Sequence, residues 1–445
     1  MLLALSPGEL QPIGQAGPED SAPLLRQNAL AARQGSEVVP VGLQGDAAIV
    51  GIAETRPLRH YEQPRKFTLE QWADLARVAL DDAGISPTEV NGICTPGIRE
   101  SASFVPSTVA EFLGTPVNFG EFVDLGGATA AGMVWRAAAA IELGLADVVV
   151  CAVPSSPVPQ RPASGVAIGS AFNAPGNYFG ASSPNYGSPQ AEFEIPYGNL
   201  AQNCGYAMIA QRYAYEFGYD PRALAKIAVD QRTNACANPN AVFYGQPITI
   251  DDVLNSPMIA DPLHILEIVM PCSGGAAVVV ASKEKARAAR RRPTWVTGCG
   301  EHIAFKTPTF APDLIRTPIA TAADRAFSMS GLKRSDIDMI SVYDCYTITV
   351  LMTLEDAGFC AKGEGMKFVN AHDLTFKGDF PCNTHGGQLS FGQAGLAGGM
   401  SHVCDATRQI QRRSGANQVA DCDTAFVSGN GGIMSEQVAL ILRGD

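Results

Sequence analysis

The sequence has few charged residues and lacks the cysteine pairs that bind zinc or form a dense disulfide framework. Charged residues make up 17% of the chain and hydrophobic residues 46%, so most of it is expected to pack into a core. The eleven cysteines are scattered and none forms a CxxC pair. This spacing predicts a reducing cytoplasm and argues against a zinc ribbon in this chain. One isolated CxxH, Cys382 with His385, is too little for a metal site, so no metal is expected.

Positive charge is also scarce. The net charge is −12, and the one dense basic run, RAARRR at 287–292, reads as a solvated helix end. An acidic chain of this kind is a poor nucleic-acid binder. The longest apolar stretch, 132–153, contains Arg136, Glu142 and Asp147, which predicts a soluble helix and a buried strand. The sequence therefore predicts neither nucleic-acid nor membrane binding.

Two segments lack a periodic apolar pattern. Residues 1–45 are rich in Gln, Pro, Gly and Ala, and they predict a loosely ordered extension. The start has no basic region before its short apolar core, so a signal peptide is not expected. Residues 154–222 are rich in Pro, Ser, Gly, Asn and Tyr. This segment is too long for a simple connection and predicts a functional loop or lid.

A helix, a glycine and a strand occur twice in the same register. The first copy is FTLEQWADLARVALDDAGI at 67–85, and the second begins AADRAFSMSG at 322. Gly84 and Gly331 are 247 positions apart, as are Ala76 and Ala323. The repetition predicts two related halves, which we place at 46–290 (including the loop region 154–222) and 291–445.

Each half also has a double glycine that precedes a helix of small residues and then an apolar strand. The first is GGATAAG at 126–132, and the second is GGQLSFGQAGLAGG at 386–399. Strands that alternate with helices predict an α/β sheet with helices on its faces.

Several long blocks resemble the thiolase superfamily in its sterol-carrier-protein-type branch. They are NPNAVFYGQPITIDD, PCSGGAAVVV, YDCYTITVLMTLEDAGFCAKGEG and NTHGGQLSFGQAGLAGG, and they span 238–399. The resemblance extends over about 47–445 and is most marked to the thiolase-like aldolases of steroid side-chain degradation. It implies two βαβαβ halves in a five-layered α/β/α/β/α arrangement with the active site between them. It also implies a coenzyme A thioester substrate, no bound cofactor, a homodimer, and a small partner with a zinc ribbon and an OB-type domain.

Three positions that are catalytic in the family differ here. Gly127 stands where a thiolase has its nucleophilic cysteine, so no acyl-enzyme can form there. Gln393 replaces the histidine of the family's GHP motif; it can donate a hydrogen bond but cannot shuttle a proton. Tyr343 replaces an Asn or His and could act as acid or base if its surroundings lower its pKa from about 10. His385 is the nearest candidate for the missing proton carrier, although packing explains it equally well.

The glycine turns that remain are suited to stabilising an enolate. Backbone N–H groups and helix N-termini favour developing negative charge, so substrate binding is assigned to the turn residues Gly126, Gly127, Asn383, Gly386, Gly387 and Gly431. The predicted function is aldol or retro-aldol cleavage of a β-hydroxyacyl-CoA. Two alternatives stay open: an acyltransferase with a substitute for the cysteine, and a non-catalytic subunit beside a cysteine-bearing paralogue.

Four further polar residues near these motifs are interpreted as structural. Thr129 is expected to cap or pack, and Cys345 to be a small buried thiol. Asp344 is expected to form hydrogen bonds behind the site, and Glu355 to hold its helix in place.

Overall fold

The computed structural model describes residues 42–59, 66–155, 192–199 and 202–445. The predicted extension at 1–45 lies outside these residues except for its last positions, and so does most of the predicted loop 154–222. Leu43–Asp445 forms one compact unit. Within the described ranges, no helix is both long enough and apolar enough to cross a bilayer.

Strands and helices alternate along most of the chain. The strands are β1 (Ala47–Leu58), β2 (Gly92–Thr95), β3 (Phe119–Phe122), β4 (Val148–Ser155), β5 (Met258–Ala260), β6 (Leu263–His264), β7 (Ser273–Ser282), β8 (Thr294–Ile303), β9 (Met339–Ser341), β10 (Thr424–Gly431) and β11 (Glu436–Arg443). The α-helices are α1 (Thr68–Ala83), α2 (Val105–Leu113), α3 (Thr129–Glu142), α4 (Gln202–Phe217), α5 (Pro221–Ala237), α6 (Ile250–Leu254), α7 (Lys283–Ala288), α8 (Ile319–Ser330), α9 (Thr347–Asp356), α10 (Gly365–Ala371) and α11 (Ala397–Ile410).

The sheet repeats one strand order twice. Nine strands lie in the order β3-β2-β4-β7-β1-β8-β11-β10-β9, and β5 and β6 form a separate pair. In the first half β2 and β4 are parallel while β7 is antiparallel to both β4 and β1. In the second half β9 and β10 are parallel while β11 is antiparallel to both β10 and β8. The two runs meet only where Ala48 and Ile49 pair with β8. The predicted repeat is therefore present in the topology.

The outer helices dock on their strands through equivalent glycines. A Cβ on Gly51 of β1 would lie 2.2 Å from the carbonyl oxygen of Ala79 in α1. A Cβ on Gly298 of β8 would lie 2.2 Å from the carbonyl oxygen of Ala326 in α8. Gly51 and Gly298 are 247 positions apart, the spacing of the sequence repeat. Both halves therefore use glycine to bring a helix backbone against the sheet.

Five layers follow from strands that are buried on both faces. Val149, Cys151 and Val153 of β4 belong to a core shared with α3 and α11, whereas Val148 and Val150 belong to a core with α1. In the second half, alternate residues of β10 and β11 face either that shared core or an outer core with α8 and α9. The order is thus outer helices, half-sheet, central helices, half-sheet and outer helices, which confirms the predicted α/β/α/β/α fold.

Helix α4 corrects one sequence expectation, because it lies inside the predicted loop 154–222. Its buried residues include Gly205, Tyr206, Ile209, Ala210 and Tyr213, a spacing typical of one helix face. The glycine and asparagine content just before it concealed this pattern. The helix brings Tyr206 and Tyr213 into the outer core of the second half.

Candidate active site

The first glycine turn connects β3 to the central helix α3. Gly126 has φ 53°, in the left-handed region that favours glycine. The Thr129 hydroxyl accepts a hydrogen bond from the Leu125 N–H at 2.9 Å, so Thr129 is a structural residue, as predicted. A Cβ on Gly431, at the end of β10, would lie 2.0 Å from the Leu125 carbonyl oxygen. Gly431 therefore allows the turn to pack against β10.

Tyr343 fills the volume in which a side chain at position 127 would lie. A Cβ on Gly127 would lie 2.3 Å from the Tyr343 Oη and 2.3 Å from the Asn430 carbonyl oxygen. Non-bonded atoms do not approach this closely, so a cysteine at position 127 cannot coexist with Tyr343 in this position. The structure therefore places Gly127 and Tyr343 next to each other. They are two of the three positions at which the sequence differs from the catalytic residues of the family it resembles.

Gln393 is the third of these positions, and it contacts Tyr343 directly. Its Nε2 donates a hydrogen bond to the Tyr343 Oη at 3.3 Å. The backbone of Gln393 is held on both sides, because its N–H donates to the Met270 oxygen at 2.9 Å and its oxygen accepts from the Cys272 N–H at 2.7 Å. The side chains of Tyr343 and Gln393 are 5% and 7% exposed, so they form a nearly enclosed hydrogen-bonded pair.

The surroundings of Tyr343 do not lower its pKa. Burial, together with the nearby Cys345 thiol, raises the pKa of Tyr343 above its ordinary value. Acid or base catalysis by Tyr343 is expected only if its surroundings lower its pKa. They raise it instead, so this condition is not met. At neutral pH Tyr343 is a neutral phenol that can donate a hydrogen bond.

The second glycine turn holds a protein carboxylate. Gly387–Phe391 forms one π-helical turn, and Asp344 accepts hydrogen bonds from the N–H groups of Gln388 at 2.8 Å and Leu389 at 3.2 Å. A Cβ on Gly387 would lie 2.1 Å from the Asp344 Oδ2. Asp344 therefore occupies two amides of this turn, and the role of Gly386 and Gly387 in substrate binding stays a prediction.

Asn383, which the sequence analysis assigns to substrate binding, forms hydrogen bonds with the backbone next to Tyr343. Its Oδ1 accepts a hydrogen bond from the Val342 N–H at 2.7 Å, and its Nδ2 donates to the Val342 oxygen at 3.0 Å. The residue is fully buried and its φ is 50°. Both ends of the amide are used by the backbone, so Asn383 fixes the chain that leads into Tyr343.

His385 forms a buried pair with a residue that the sequence analysis did not identify. Its Nδ1 lies 3.0 Å from the Asp405 Oδ2, and both side chains are 3% exposed. Burial acts to lower the pKa of His385, but the facing Asp405 carboxylate outweighs burial and leaves the pKa raised. Its described ring contacts are with Phe391 and His402, so it reaches Tyr343 through His402. Its role as proton carrier stays a prediction.

His402 is the histidine whose ring contacts Tyr343, with ring centroids 6.0 Å apart. Its Nε2 lies 3.1 Å from the Asp344 Oδ1, and its Nδ1 lies 3.0 Å from the Ser341 Oγ. A signal was present in the sequence, because His402 and Asp405 are three positions apart and share one face of a helix of mostly small and apolar residues. The family motif directed attention to residues 383–394 instead.

The thiol and the carboxylate near the site agree with their structural interpretation. Burial raises the pKa of Cys345 to about 11, so it is a neutral thiol at neutral pH. The Glu355 Oε1 accepts hydrogen bonds from the Tyr213 hydroxyl and from the Gly365 N–H. Glu355 thereby connects α9 to α4 and α10.

Comparison with known proteins agrees with this architecture. The human mitochondrial 3-ketoacyl-CoA thiolase has a similar fold, with TM-score 0.61, 15% identity and coverage of 90% of this chain and 98–99% of that one. A family model described as "Thiolase C-terminal domain-like" matches residues 300–444. The fold class is therefore that of the thiolases.

Proteins with higher sequence identity to this chain show the branch to which it belongs. The chain is 33% identical to a "Steroid side-chain-cleaving aldolase" of Thermomonospora curvata over 91% of this chain and 99% of that protein. It is 31% identical to a "17-hydroxy-3-oxo-4-pregnene-20-carboxyl-CoA lyase" of Mycobacterium tuberculosis over 89% and 100%. A solved "Ltp2-ChsH2(DUF35) aldolase" has TM-score 0.78 and 31% identity, with coverage of 91% and 99%. The chain belongs to the thiolase superfamily, in the sterol-carrier-protein-type branch with these aldolases.

Proposed function

We propose that this protein cleaves a carbon–carbon bond of a β-hydroxyacyl-CoA by a retro-aldol reaction. The observation that carries the proposal is the Tyr343 hydroxyl in the volume where a thiolase nucleophile would lie. With Gly127 in contact with Tyr343, the site has a hydrogen-bond donor in place of an acyl acceptor. The names of the two relatives with long alignments, an aldolase and a lyase, support the same reaction class.

The reaction balances without a redox partner. A base removes the proton of the β-hydroxyl group, and the electron pair left on that oxygen forms the carbonyl π bond as the Cα–Cβ bond breaks. The bonding pair passes to the thioester as an enolate, which is then protonated at Cα. The products are a ketone or aldehyde and a shorter acyl-CoA.

Tyr343 and Gln393 are the residues that we assign to this step. Because the Tyr343 oxygen accepts the Gln393 amide, the hydroxyl hydrogen is free to point towards a substrate oxygen. A neutral phenol stabilises the developing enolate oxygen as a hydrogen-bond donor in a site with little water. The 3-10 turn Gly126–Ala128, which leads directly into α3, adds a partial positive charge from backbone N–H groups.

Acyl transfer is the weaker alternative. It needs a thiolate or another activated nucleophile, and position 127 has no side chain. Burial raises the pKa of both Cys345 and Cys272 to about 11, which disfavours the thiolate form of each.

The substrate class follows from the relatives. Both are named for steroid side chains or a pregnene carboxyl-CoA, so we propose a CoA thioester on a bulky, steroid-like group. The identity of the acyl group and a cytoplasmic location are part of this proposal.

We further propose a homodimer in which β3 meets its counterpart from a second copy. β3 is at the edge of the sheet, and an edge strand offers unpaired N–H and C=O groups. Phe122 in β3 and the neighbouring Phe104 and Phe112 are 47%, 83% and 49% exposed. Light scattering should give a dimer for the native chain and a monomer for Phe122→Glu. A native monomer would contradict this proposal.

A small partner with a zinc ribbon and an OB-type domain completes the proposed assembly. The support is the similar structure whose name pairs two components, one marked DUF35. Co-expression with a gene for such a protein should raise activity and solubility. Full activity of the isolated chain, with no gain from the partner, would contradict it.

The test is to incubate the assembly with a β-hydroxyacyl-CoA of a C22 steroid and to follow both products by mass spectrometry. A ketosteroid and a shortened acyl-CoA in equal amounts are expected, with no change in the intact mass of the protein. The same assembly with a 3-ketoacyl-CoA and free CoA serves as the control for thiolysis. An acyl adduct on the protein or thiolysis would instead support the acyltransferase, and no turnover with either would support a non-catalytic subunit.

A further inference from the structure

A buried cluster of polar side chains lies next to Tyr343, between β9 and the central helix α11. None of its members is more than 3% exposed: Ser341, Asp344, His385, Gln388, His402 and Asp405. Burying charged groups is unfavourable unless each one is paired. The six side chains of this cluster must therefore either be fully paired, as structural groups, or take part in the reaction.

His402 is the member with the most contacts. Its Nε2 lies 3.1 Å from the Asp344 Oδ1 and 3.2 Å from the Gln388 Nε2. Its Nδ1 lies 3.0 Å from the Ser341 Oγ, and that hydroxyl donates to the Asp405 Oδ2 at 3.1 Å. Both ring nitrogens are engaged, so the plane of the imidazole is fixed.

The contacts of His402 lead to the proposed site through Gln388. A Cβ on Gly398 would lie 2.5 Å from the Gln388 Oε1 and 3.2 Å from the Gln393 Cγ, so these two side chains share the space beside Gly398. Gln393 donates its hydrogen bond to Tyr343. These groups form a continuous path from His402 through Gln388 to Gln393, the donor of Tyr343.

Asp344 forms a second route. It follows Tyr343 in the chain, accepts the backbone N–H groups of Gln388 and Leu389, and faces His402. Removing the imidazole leaves this carboxylate without its ring partner and frees the turn that contains Gln388 to shift.

We propose that His402 is a positioning residue that fixes Gln388 and Asp344 and thereby the hydrogen bond between Gln393 and Tyr343. This inference rests on the proposed function. It assigns a role to a residue outside the motifs of the family resemblance, and it predicts that His402 acts through Tyr343.

The test is a double-mutant cycle on kcat with the assembled enzyme. His402→Gln should lower kcat about tenfold to hundredfold through misplacement of the donor, with KM changed less than about threefold. In a Tyr343→Phe background the same substitution should change kcat less than about twofold, because effects that act through one group are not additive. If the double variant instead loses kcat by the product of the two single-variant factors, the inference is overturned.

His385→Gln is the matched comparison, because His385 is also buried and also faces an aspartate. Its coupling with Tyr343→Phe should be weaker than that of His402→Gln, because His385 reaches Tyr343 only through the His402 ring. Coupling of His385, and not of His402, with Tyr343 would also overturn the inference and would support His385 as the proton carrier. If His402→Gln does not fold, Ser341→Ala removes one contact of the ring and should show the same coupling with a smaller effect.

The outcomes separate the inference from the proposed function. A wild-type assembly that does not cleave the substrate contradicts the proposed function. A wild-type assembly that cleaves it, with independent effects at His402 and Tyr343, contradicts only the role of His402. Melting temperatures of all variants show whether a loss of kcat is a loss of folded protein.

Discussion

The two central helices are equivalent in the two halves but differ in what they bury. After Thr129, the buried residues of α3 are alanine, glycine, methionine, valine and isoleucine. The buried residues of α11 include Ser401, His402, Asp405, Thr407 and Gln409. The helices pack on one another, and a Cβ on Gly399 of α11 would lie 2.5 Å from the Gly127 oxygen. The first half therefore provides the shape of the site, and the second half provides its hydrogen-bonding groups.

The difference has an energetic consequence. A helix of small apolar residues gains stability from close packing alone, whereas buried polar groups are favourable only when all of them are satisfied. Substitutions in the first half should therefore act through volume, and those in the second half through hydrogen bonds and charge.

The largest effect is expected for Gly127→Ala. One methyl group meets the Tyr343 hydroxyl and the Asn430 carbonyl, so either the tyrosine or the strand must move. Activity should fall by about two to three orders of magnitude, as for loss of one oxyanion donor, and stability by about 1–3 kcal/mol from overpacking. Gly97→Ala is the control, because its nearest neighbour would be 4.0 Å away. Near-normal kinetics of Gly127→Ala would show that Tyr343 is not held against this turn.

A smaller effect is expected for Gln393→Ala in the second half. The variant removes the donor to the Tyr343 hydroxyl without adding volume. The rate of C–C cleavage should fall by about one to two orders of magnitude, because the Tyr343 hydroxyl loses the hydrogen bond that orients it. Gln393→Glu keeps the shape and removes the amide donor, and should be similarly impaired. Wild-type rates in both variants would show that Gln393 has no role in the reaction.

The polar second half should also give a pH-dependent stability. Burial acts to raise the pKa of Asp405, but His385 outweighs burial and leaves the pKa lowered; the pKa of His385 is raised. The contribution of Asp405 is lost as pH falls below about 4, and that of His385 as pH rises above about 6.5. The melting-temperature difference between wild type and His385→Gln should therefore be largest between about pH 4 and 6.5. An equal difference at pH 8 would contradict the ion pair.

The smallest effect is expected when the N-terminal residues are removed. The N–H groups of Gln44 and Gly45 donate to the Glu142 carboxylate at the end of α3, at 2.6 and 3.0 Å. Deletion of 1–41 keeps these bonds and should shift the melting temperature little. Deletion of 1–45 removes them and should lower the melting temperature further. A loss of soluble protein on deletion of 1–41 would contradict this expectation and would show that these residues are needed for folding.

The sequence was informative where a local pattern has one structural meaning. The spacing of 247 positions predicted two equivalent halves, and the glycine at position 127 predicted a site without a nucleophile. The sequence was misleading where contacts between residues far apart in the chain determine the pKa or the hydrogen-bond partner of a group. The pKa of Tyr343 depends on burial by distant segments, and Asp344, 44 residues away along the chain, accepts the N–H of Gln388 in the second glycine turn. His402 was missed for the same reason, because its partners are 61 and 58 residues away along the chain.

The most direct test of the account compares Tyr343→Phe with Cys345→Ala in the cleavage of a β-hydroxyacyl-CoA. Tyr343→Phe removes one hydroxyl, and with it the donor to the enolate oxygen, at nearly constant volume and should lower the rate by about two to three orders of magnitude. Cys345→Ala removes a buried neutral thiol and should keep most of the activity. A rate near that of wild type for Tyr343→Phe together with an inactive Cys345→Ala would contradict the account and would indicate acyl transfer through the cysteine.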